Sequence, residues 1–191
     1  PLKGLQRLAK DYRSRFDVPV IGITGSNGKT VVKEWIYQLL SPERIITRSP
    51  RSYNSQIGVP LSVWLMNERT EIGIFEAGIS EMGEMEALQS IIRPTIGVLT
   101  NIGGAHQENF YSTSDKCMEK LTLFKDCDVV IYDADNELIN NCVGKCLFGA
   151  REIAWSKKNP EQPLYIEGVK KGDTATTIRY RYLGMPNEYT I

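Results

Sequence analysis

The segment TGSNGKT, residues 24–30, constrains the fold most, because it stands between a short apolar run and a helical pattern. Small residues at such a junction let backbone N–H groups of Gly25 to Lys29 curl around phosphate oxygens at a helix N-terminus. Lys29 can then neutralise the β and γ phosphates, and the Thr30 hydroxyl can reach Mg²⁺. This pattern predicts a phosphate-binding loop made of Thr24, Gly25, Ser26, Asn27, Gly28, Lys29 and Thr30.

The match is to the shorter motif GxxGKT. Ile23 stands where the strict pattern GxxxxGK[ST] has its first glycine. A glycine-rich turn with a solvated lysine is therefore the alternative interpretation. The order of strand, loop and helix favours phosphate binding.

Strand and helix patterns alternate from Val18 to Gly149, which predicts an α/β domain with a mostly parallel sheet flanked by helices. The expected strands lie at residues 20–24, near 45, and at 71–76, 95–100 and 128–132. The expected helices lie at residues 30–40, 58–66, 83–92, 113–124 and 136–146.

Two segments flank this alternation. Residues 1–17 carry Leu5, Leu8, Tyr12 and Phe16 at helical spacing, which predicts a helical lead-in from a preceding domain or linker. Residues 18–191 are then the main domain, with 150–191 as a small antiparallel β extension. In this extension, 156–163 are expected to form a loop, 174–183 an antiparallel strand, and MPNE (185–188) a turn. Because the pattern breaks off at Ile191, we expect a piece of a longer protein.

Charge and cysteine content limit the possible partners. The 23 basic residues balance the 23 acidic ones, so no overall field draws the chain to nucleic acid or an anionic membrane. No apolar run approaches the length of about 18 residues that a membrane span needs. The four cysteines form no CxxC pair and are expected to be buried thiols in a reducing compartment. Residues 1–17 resemble no signal peptide, so we expect a cytoplasmic protein.

Polar side chains follow several predicted strands at the edge where open α/β sheets bind ligands. They are Glu76, Asn101, His106, Asp133, Asp135 and Asn136. A carboxylate and an imidazole beside a phosphate loop can hold Mg²⁺ directly or through water. Each residue also has a structural interpretation: His106 as a hydrogen-bonded structural residue, and residues 133–136 as a helix N-cap.

Five segments in order resemble the central ATPase domain of the Mur ligases. They are TGSNGKT, YNSQIGVPLSV (53–63), EAGISEMGEM (76–85), TNIGGAH (100–106) and YDADN (132–136). The resemblance extends from about Val18 to Gly149. Within the family, the glutamate at a strand end followed by a GE[IM] segment is most similar to the ligases that add D-alanyl-D-alanine to UDP-N-acetylmuramoyl-tripeptide. Relatives with a folate substrate usually carry GKGS in the loop, where this chain has GKT.

The resemblance implies ATP and Mg²⁺ as cofactors and assigns roles by position. Lys29 and Thr30 bind the γ-phosphate and Mg²⁺, Asn101 lines the nucleotide cleft and Asn54 lines the substrate cleft. By the same resemblance, Glu76 and His106 bind the metal, and His106 is also catalytic. Asp135 and Asn136 contact the adenosine. Lys120, in the helix after the histidine, is a catalytic lysine at the metal that is often carbamylated in the family.

The implied activity is ATP-dependent amide formation in peptidoglycan precursor synthesis. The γ-phosphate passes to a substrate carboxylate, and the amine of D-alanyl-D-alanine attacks the resulting acyl phosphate. We expect the family's N-terminal and C-terminal domains to lie outside this fragment, so the fragment is expected to be inactive alone, with those domains and the small-molecule substrates as its partners. Another Mur-type ligase, including a folylpolyglutamate-like one, and a non-catalytic nucleotide-binding module are the alternatives. A kinase or GTPase is disfavoured because the sequence has neither NKxD nor an arginine-rich lid.

Overall fold

A computed structural model describes residues 1–103, 109–146 and 149–191. Its helices are α1 (Leu2–Arg13), α2 (Lys29–Leu40), α3 (Gly58–Val63), α4 (Glu84–Ile92), α5 (Thr113–Leu121) and α6 (Glu137–Val143). Its strands are β1 (Val20–Thr24), β2 (Ile46–Arg48), β3 (Ile72–Glu76), β4 (Ile96–Leu99), β5 (Val129–Asp133), β6 (Arg151–Ser156), β7 (Leu164–Lys171), β8 (Thr176–Tyr182) and β9 (Met185–Thr190).

The strands of the described residues form one sheet in the order β2-β3-β1-β4-β5-β6-β7-β8-β9. Pairing is parallel from β2 through β7 and antiparallel from β7 through β9. All five residues of β1 are buried, as expected for an inner strand of a sheet covered on both faces. The predicted α/β class with a small antiparallel extension is therefore confirmed.

The parallel pairing brings the carboxyl ends of β1, β3, β4 and β5 to one edge of the sheet. The TGSNGKT loop, Glu76, Asn101 and the segment after Asp133 all stand at this edge. The fold thus brings together segments that are far apart in sequence.

The C-terminal segment differs from its predicted pattern at two points. Residues 151–156 form β6, which pairs in parallel with β5 and extends the main sheet. The MPNE segment was expected to be a turn, but it lies in β9, and the turn is at Leu183 and Gly184, both with positive φ. Pro186 is tolerated in a strand because β9 is at the edge of the sheet, where a missing N–H breaks no ladder.

Helix α1 packs against α3 and α4, and of the four apolar residues at helical spacing only Leu8 departs from the packed face. Leu8 was expected on the packed face and is 59% exposed, whereas Ala9 and Arg13 are buried. The Arg13 guanidinium donates to the carbonyl oxygens of Ile92 (2.9 Å) and Phe16 (2.6 Å). Ile92 is the last residue of α4, so a buried cation stands where α1 meets the end of that helix.

The cysteines are free thiols, and three of the four are buried, as expected. Cys146 is half-buried and lies beyond the end of α6, so Cys142 and Cys146 share no helix face. Within the described ranges, none of the helices combines the length and the apolar character that crossing a membrane requires.

Candidate functional site

The TGSNGKT loop connects β1 to the N-terminus of α2 and turns at two glycines. Gly25 has φ +146° and Gly28 has φ +78°, both in the region that favours glycine. A Cβ on Gly25 would lie 2.0 Å from Thr100 Oγ1, so no other residue fits there. Lys29 Nζ donates to the Gly25 carbonyl at 2.8 Å, which holds the ammonium group over the loop.

The segment after β4 supports the loop from the side. The N–H groups of Ser26 and Asn27 donate to the carbonyl and the side-chain oxygen of Asn101, both at 2.9 Å. These two N–H groups were expected to point at phosphate, but they are bonded to Asn101. Ser26 also exchanges hydrogen bonds with Gly103.

Thr24 lies below the loop and supports it from the core. Its side chain is fully buried, and its hydroxyl donates to the Ala77 carbonyl at 2.8 Å. Thr24 was predicted among the nucleotide-binding residues, but the structure does not bring its hydroxyl to the cleft. That the backbone of Thr24 contacts phosphate stays a prediction.

Glu76 ends β3 with a fully buried side chain that faces the start of α2. Its Oε2 accepts from the Thr30 hydroxyl at 3.1 Å and from the Asn54 amide at 3.4 Å. Thr30, Asn54 and Glu76 therefore meet at one carboxylate oxygen. The sequence predicted these three residues for the metal and the substrate, and the fold brings them together.

The other oxygen of Glu76 faces Lys33, a residue that the sequence analysis missed. Lys33 Nζ lies 2.9 Å from Glu76 Oε1, and neither side chain is exposed. Among the described residues, none gives Oε1 a well-formed hydrogen bond. The ion pair with Lys33 is therefore what offsets the burial of this carboxylate oxygen. A signal existed in the sequence: Lys33 follows Thr30 by three positions, which puts both on one face of a helix.

Three lysines converge on a cleft of about 150 Å³ beside the loop. Lys29 comes from the start of α2, and Lys116 and Lys120 stand one turn apart on α5. Burial lowers the pKa of Lys120 to about 8, and the positive charges of Lys29 and Lys116 act in the same direction. Asn54 and Ser55 line the same cleft.

Lys116 is a second residue that the sequence analysis missed. It is 1% exposed, and its ammonium donates to the Gly103 carbonyl at 2.6 Å. Burial lowers the pKa of Lys116 as well. Its spacing of four residues before Lys120 is the signal that places both on one helix face.

Residues 133–136 form the helix N-cap that was the alternative interpretation. Asn136 Oδ1 accepts from the Ile139 N–H at 3.2 Å and caps α6. The Asp135 carboxylate accepts from the Ser156 hydroxyl and from the Lys157 N–H, and Asp133 accepts from the Asp135 N–H. The side chains are thus used structurally, and adenosine contacts by Asp135 and Asn136 stay a prediction.

The donor set at Glu76 suits Mg²⁺. This ion is usually held by one or two carboxylates together with waters and substrate phosphates. Glu76 and the Thr30 hydroxyl, next to the loop, are the residues that could supply the protein's share of such a site. Within residues 1–103, 109–146 and 149–191, no three His, Cys, Asp or Glu side chains cluster to form a complete metal cage. His106, predicted as a catalytic and metal-binding residue, lies outside the described residues.

Comparison with known proteins agrees with this geometry. The family model of the Mur ligase middle domain matches residues 23–184. The UDP-N-acetylmuramoyl-tripeptide–D-alanyl-D-alanine ligase of Bacillus subtilis is 38% identical over 143 residues, which are 73% of this chain and 31% of the relative. The ligase of the same name from Rickettsia prowazekii is 31% identical over 185 residues, which are 95% of this chain and 39% of the relative. The chain therefore spans 31% to 39% of the length of these relatives.

Solved structures show the same fold. The MurF ligase of Thermotoga maritima in complex with ADP superimposes with a TM-score of 0.85 at 24% identity, covering 99% of this chain and 44% of that one. MurF from Acinetobacter baumannii superimposes with a TM-score of 0.84 at 18% identity, covering 100% of this chain and 42% of that one.

Proposed function

The chain belongs to the Mur ligase family, and from that premise we propose that it is the ATP-binding part of a ligase that adds D-alanyl-D-alanine to UDP-N-acetylmuramoyl-tripeptide. The ligase forms an amide bond, converts ATP to ADP and phosphate, and acts in peptidoglycan precursor synthesis in the cytoplasm. The substrate assignment rests on the relatives of that name that are 38% and 31% identical. Residues 1–17 are proposed as a lead-in and 18–191 as the central domain.

The observation that carries the proposal is the convergence of three lysine side chains on one small cleft beside the loop, together with a buried carboxylate that contacts Thr30. Lys29 and Lys116 supply positive charge beside the loop, and the amine of Lys120 lines the same cleft. Glu76 is fully buried, and its carboxylate accepts from the Thr30 hydroxyl. The transferred phosphoryl group passes between two anions, ADP and a carboxylate, so its charge must be neutralised in the transition state. Cationic groups that the fold already holds around the phosphoryl group lower the barrier, because they do not have to move when the charge develops.

Each residue then has a role in that transfer. Lys29 binds the γ-phosphate, and Thr30 and Glu76 hold Mg²⁺, which offsets phosphate charge when bound. Asn54 lines the substrate side of the cleft, and Asn101 fixes the loop through the N–H groups of Ser26 and Asn27. The role of His106 at the metal and those of Asp135 and Asn136 at the adenosine are part of the same proposal.

Lys120 is proposed to act as a carbamate. Its lowered pKa leaves about a tenth of the amine neutral at pH 7, against well under a thousandth for an ordinary lysine. The ammonium first releases a proton to solvent, and the neutral nitrogen then attacks carbon dioxide. A C–N bond forms as one C=O π bond breaks, and a second proton leaves the nitrogen, so that a cation becomes an anion. An anion among Lys29 and Lys116 is electrostatically favoured, whereas a third ammonium is repelled.

The test uses the full-length ligase that contains this chain. ADP release should require both UDP-N-acetylmuramoyl-tripeptide and D-alanyl-D-alanine, and mass spectrometry should find the amide product. Lys29→Ala should abolish the reaction, whereas Lys125→Ala, a change at a half-exposed lysine outside the cleft, should leave it intact. ADP release with a single amino acid or a folate instead would refute the substrate assignment, and a protein that binds no nucleotide would refute the whole proposal.

A further inference from the structure

A row of alternating charges leads from the surface of the sheet to the buried carboxylate of Glu76. Arg48 Nη2 lies 3.0 Å from Glu34 Oε2, and Glu34 Oε1 lies 3.2 Å from Lys33 Nζ. Lys33 Nζ in turn lies 2.9 Å from Glu76 Oε1. The outer pair is about one third exposed, and the inner pair is completely buried.

Lys33 is held by the backbone as well as by charge. Its ammonium donates to the Ser49 carbonyl at 2.8 Å and to the Arg51 carbonyl. Four oxygen atoms thus surround a group that has three N–H donors, so its position is strongly determined. A buried cation with this many partners is fixed in place and cannot follow a moving carboxylate.

The same contacts join three elements around the cleft. Lys33 belongs to α2, Glu76 ends β3, and Ser49 and Arg51 begin the loop after β2. That loop continues to Asn54, which contacts Glu76 Oε2. The Ser49 hydroxyl also accepts from the Glu76 N–H at 3.2 Å. Lys33 therefore connects the loop after β2 to the Glu76 carboxylate on the side of Oε1.

The two oxygens of Glu76 have different surroundings because of this arrangement. Oε1 forms the ion pair with Lys33, whereas Oε2 faces Thr30 and Asn54 and accepts their hydrogen bonds. A carboxylate free to rotate about its last bond would exchange the two oxygens. Fixing one of them against a cation presents the other in a single orientation.

We propose that Lys33 is a positioning residue for the metal site: its ammonium, anchored to the loop after β2, holds Glu76 Oε1 so that Oε2 faces Thr30 and the phosphate loop. This inference rests on the proposed function, because it takes Glu76 as a metal-binding residue. Lys33 itself touches neither metal nor substrate. Partners behind a metal ligand typically change metal affinity by about 10- to 100-fold when removed.

The test measures how Mg²⁺ strengthens ADP binding in the full-length ligase. ADP is titrated by calorimetry at a series of Mg²⁺ concentrations and, separately, with EDTA. In Lys33→Met, the Mg²⁺ concentration that gives half of the metal's effect should rise about 10- to 100-fold. ADP affinity in EDTA should stay within about threefold of the wild type, because the phosphate loop is intact. If Lys33→Met is too unstable to purify, Lys33→Gln, which can still donate to one carbonyl, should show the same loss.

Arg13→Met is the matched control. Arg13 is also a buried cation that donates to backbone carbonyls, but it lies between α1 and α4, away from the cleft. Its loss should lower the melting temperature and leave the Mg²⁺ dependence unchanged. This separates a general loss of stability from a specific effect on the metal.

The proposal is overturned if Lys33→Met or Lys33→Gln retains the wild-type Mg²⁺ dependence. It is also overturned if ADP affinity falls equally with Mg²⁺ and with EDTA, because Lys33 would then support the fold alone. A wild-type protein whose ADP affinity ignores Mg²⁺ gives a different result: it refutes the metal site of the proposed function, and this role of Lys33 with it.

Discussion

Replacing Lys120 with Met is expected to stabilise the fold at pH 7 while it removes a residue proposed for catalysis. The side chain is 3% exposed, and its pKa is lowered from 10.5 to about 8, first by burial and then by Lys29 and Lys116. Such a shift means that holding the charged amine costs the folded state about 3 kcal/mol at neutral pH. Methionine has a similar length and no charge, so the variant should gain about 2 to 3 kcal/mol in the free energy of unfolding.

The gain should depend on pH in a defined direction. Below pH 8 the amine is protonated in both the folded and the unfolded chain, and the cost is fully present. Between pH 8 and 10.5 the folded chain releases the proton while the unfolded chain keeps it, so wild-type stability rises with pH. Above 10.5, the ordinary pKa, the cost is gone. The advantage of Lys120→Met should therefore shrink from pH 7 to pH 10.

This difference is measured by urea unfolding of the wild type and Lys120→Met at pH 7 and pH 10. The buffers are freed of bicarbonate so that Lys120 stays an amine. Lys33→Met is the informative comparison, because Lys33 is equally buried but paired with Glu76. Its loss leaves a buried carboxylate without its partner and should cost about 3 to 5 kcal/mol. The reasoning is refuted if Lys120→Met is less stable than the wild type at pH 7, or if its gain is the same at both pH values.

Three further predictions concern activity. Lys29→Ala in the full-length ligase should lower turnover by about 10²- to 10³-fold, because a fixed cation at the γ-phosphate is lost; wild-type turnover contradicts the assignment. Lys120→Ala should lose most ligase activity, and formate or acetate should restore part of it by supplying a carboxylate to the emptied position; full activity without additive contradicts the carbamate. The 191-residue chain alone should unfold cooperatively yet form no amide, because it spans only 31% to 39% of its relatives; substrate-dependent ADP release by this chain alone contradicts that expectation.

Much of the fold could be predicted because its signals are local. The apolar run before TGSNGKT, the glycines at positions 25 and 28, and the helical spacing after Lys29 each act over a few residues. Strand β9 was missed because Pro186, Asn187 and Glu188 are of types that are depleted in strands. Its pairing with β8 at the sheet edge, where a proline costs no hydrogen bond, decides its conformation. On α1 the prediction was wrong for Leu8, which is exposed, and it did not include Arg13, which is buried because a carbonyl of another segment accepts its hydrogen bond.

The sequence by itself determined which residues could do chemistry: the loop with Lys29 and Thr30, and the polar residues after each strand. Only the tertiary structure decided whether each buried charge stabilises or destabilises the fold. Lys33 and Lys120 are both lysines on helices, and their local sequence does not specify which charges surround them. Lys33 meets a buried carboxylate from β3, whereas Lys120 meets two other ammonium groups. The energy of a buried charge is set by the groups that long-range contacts place around it, and local sequence does not encode those neighbours.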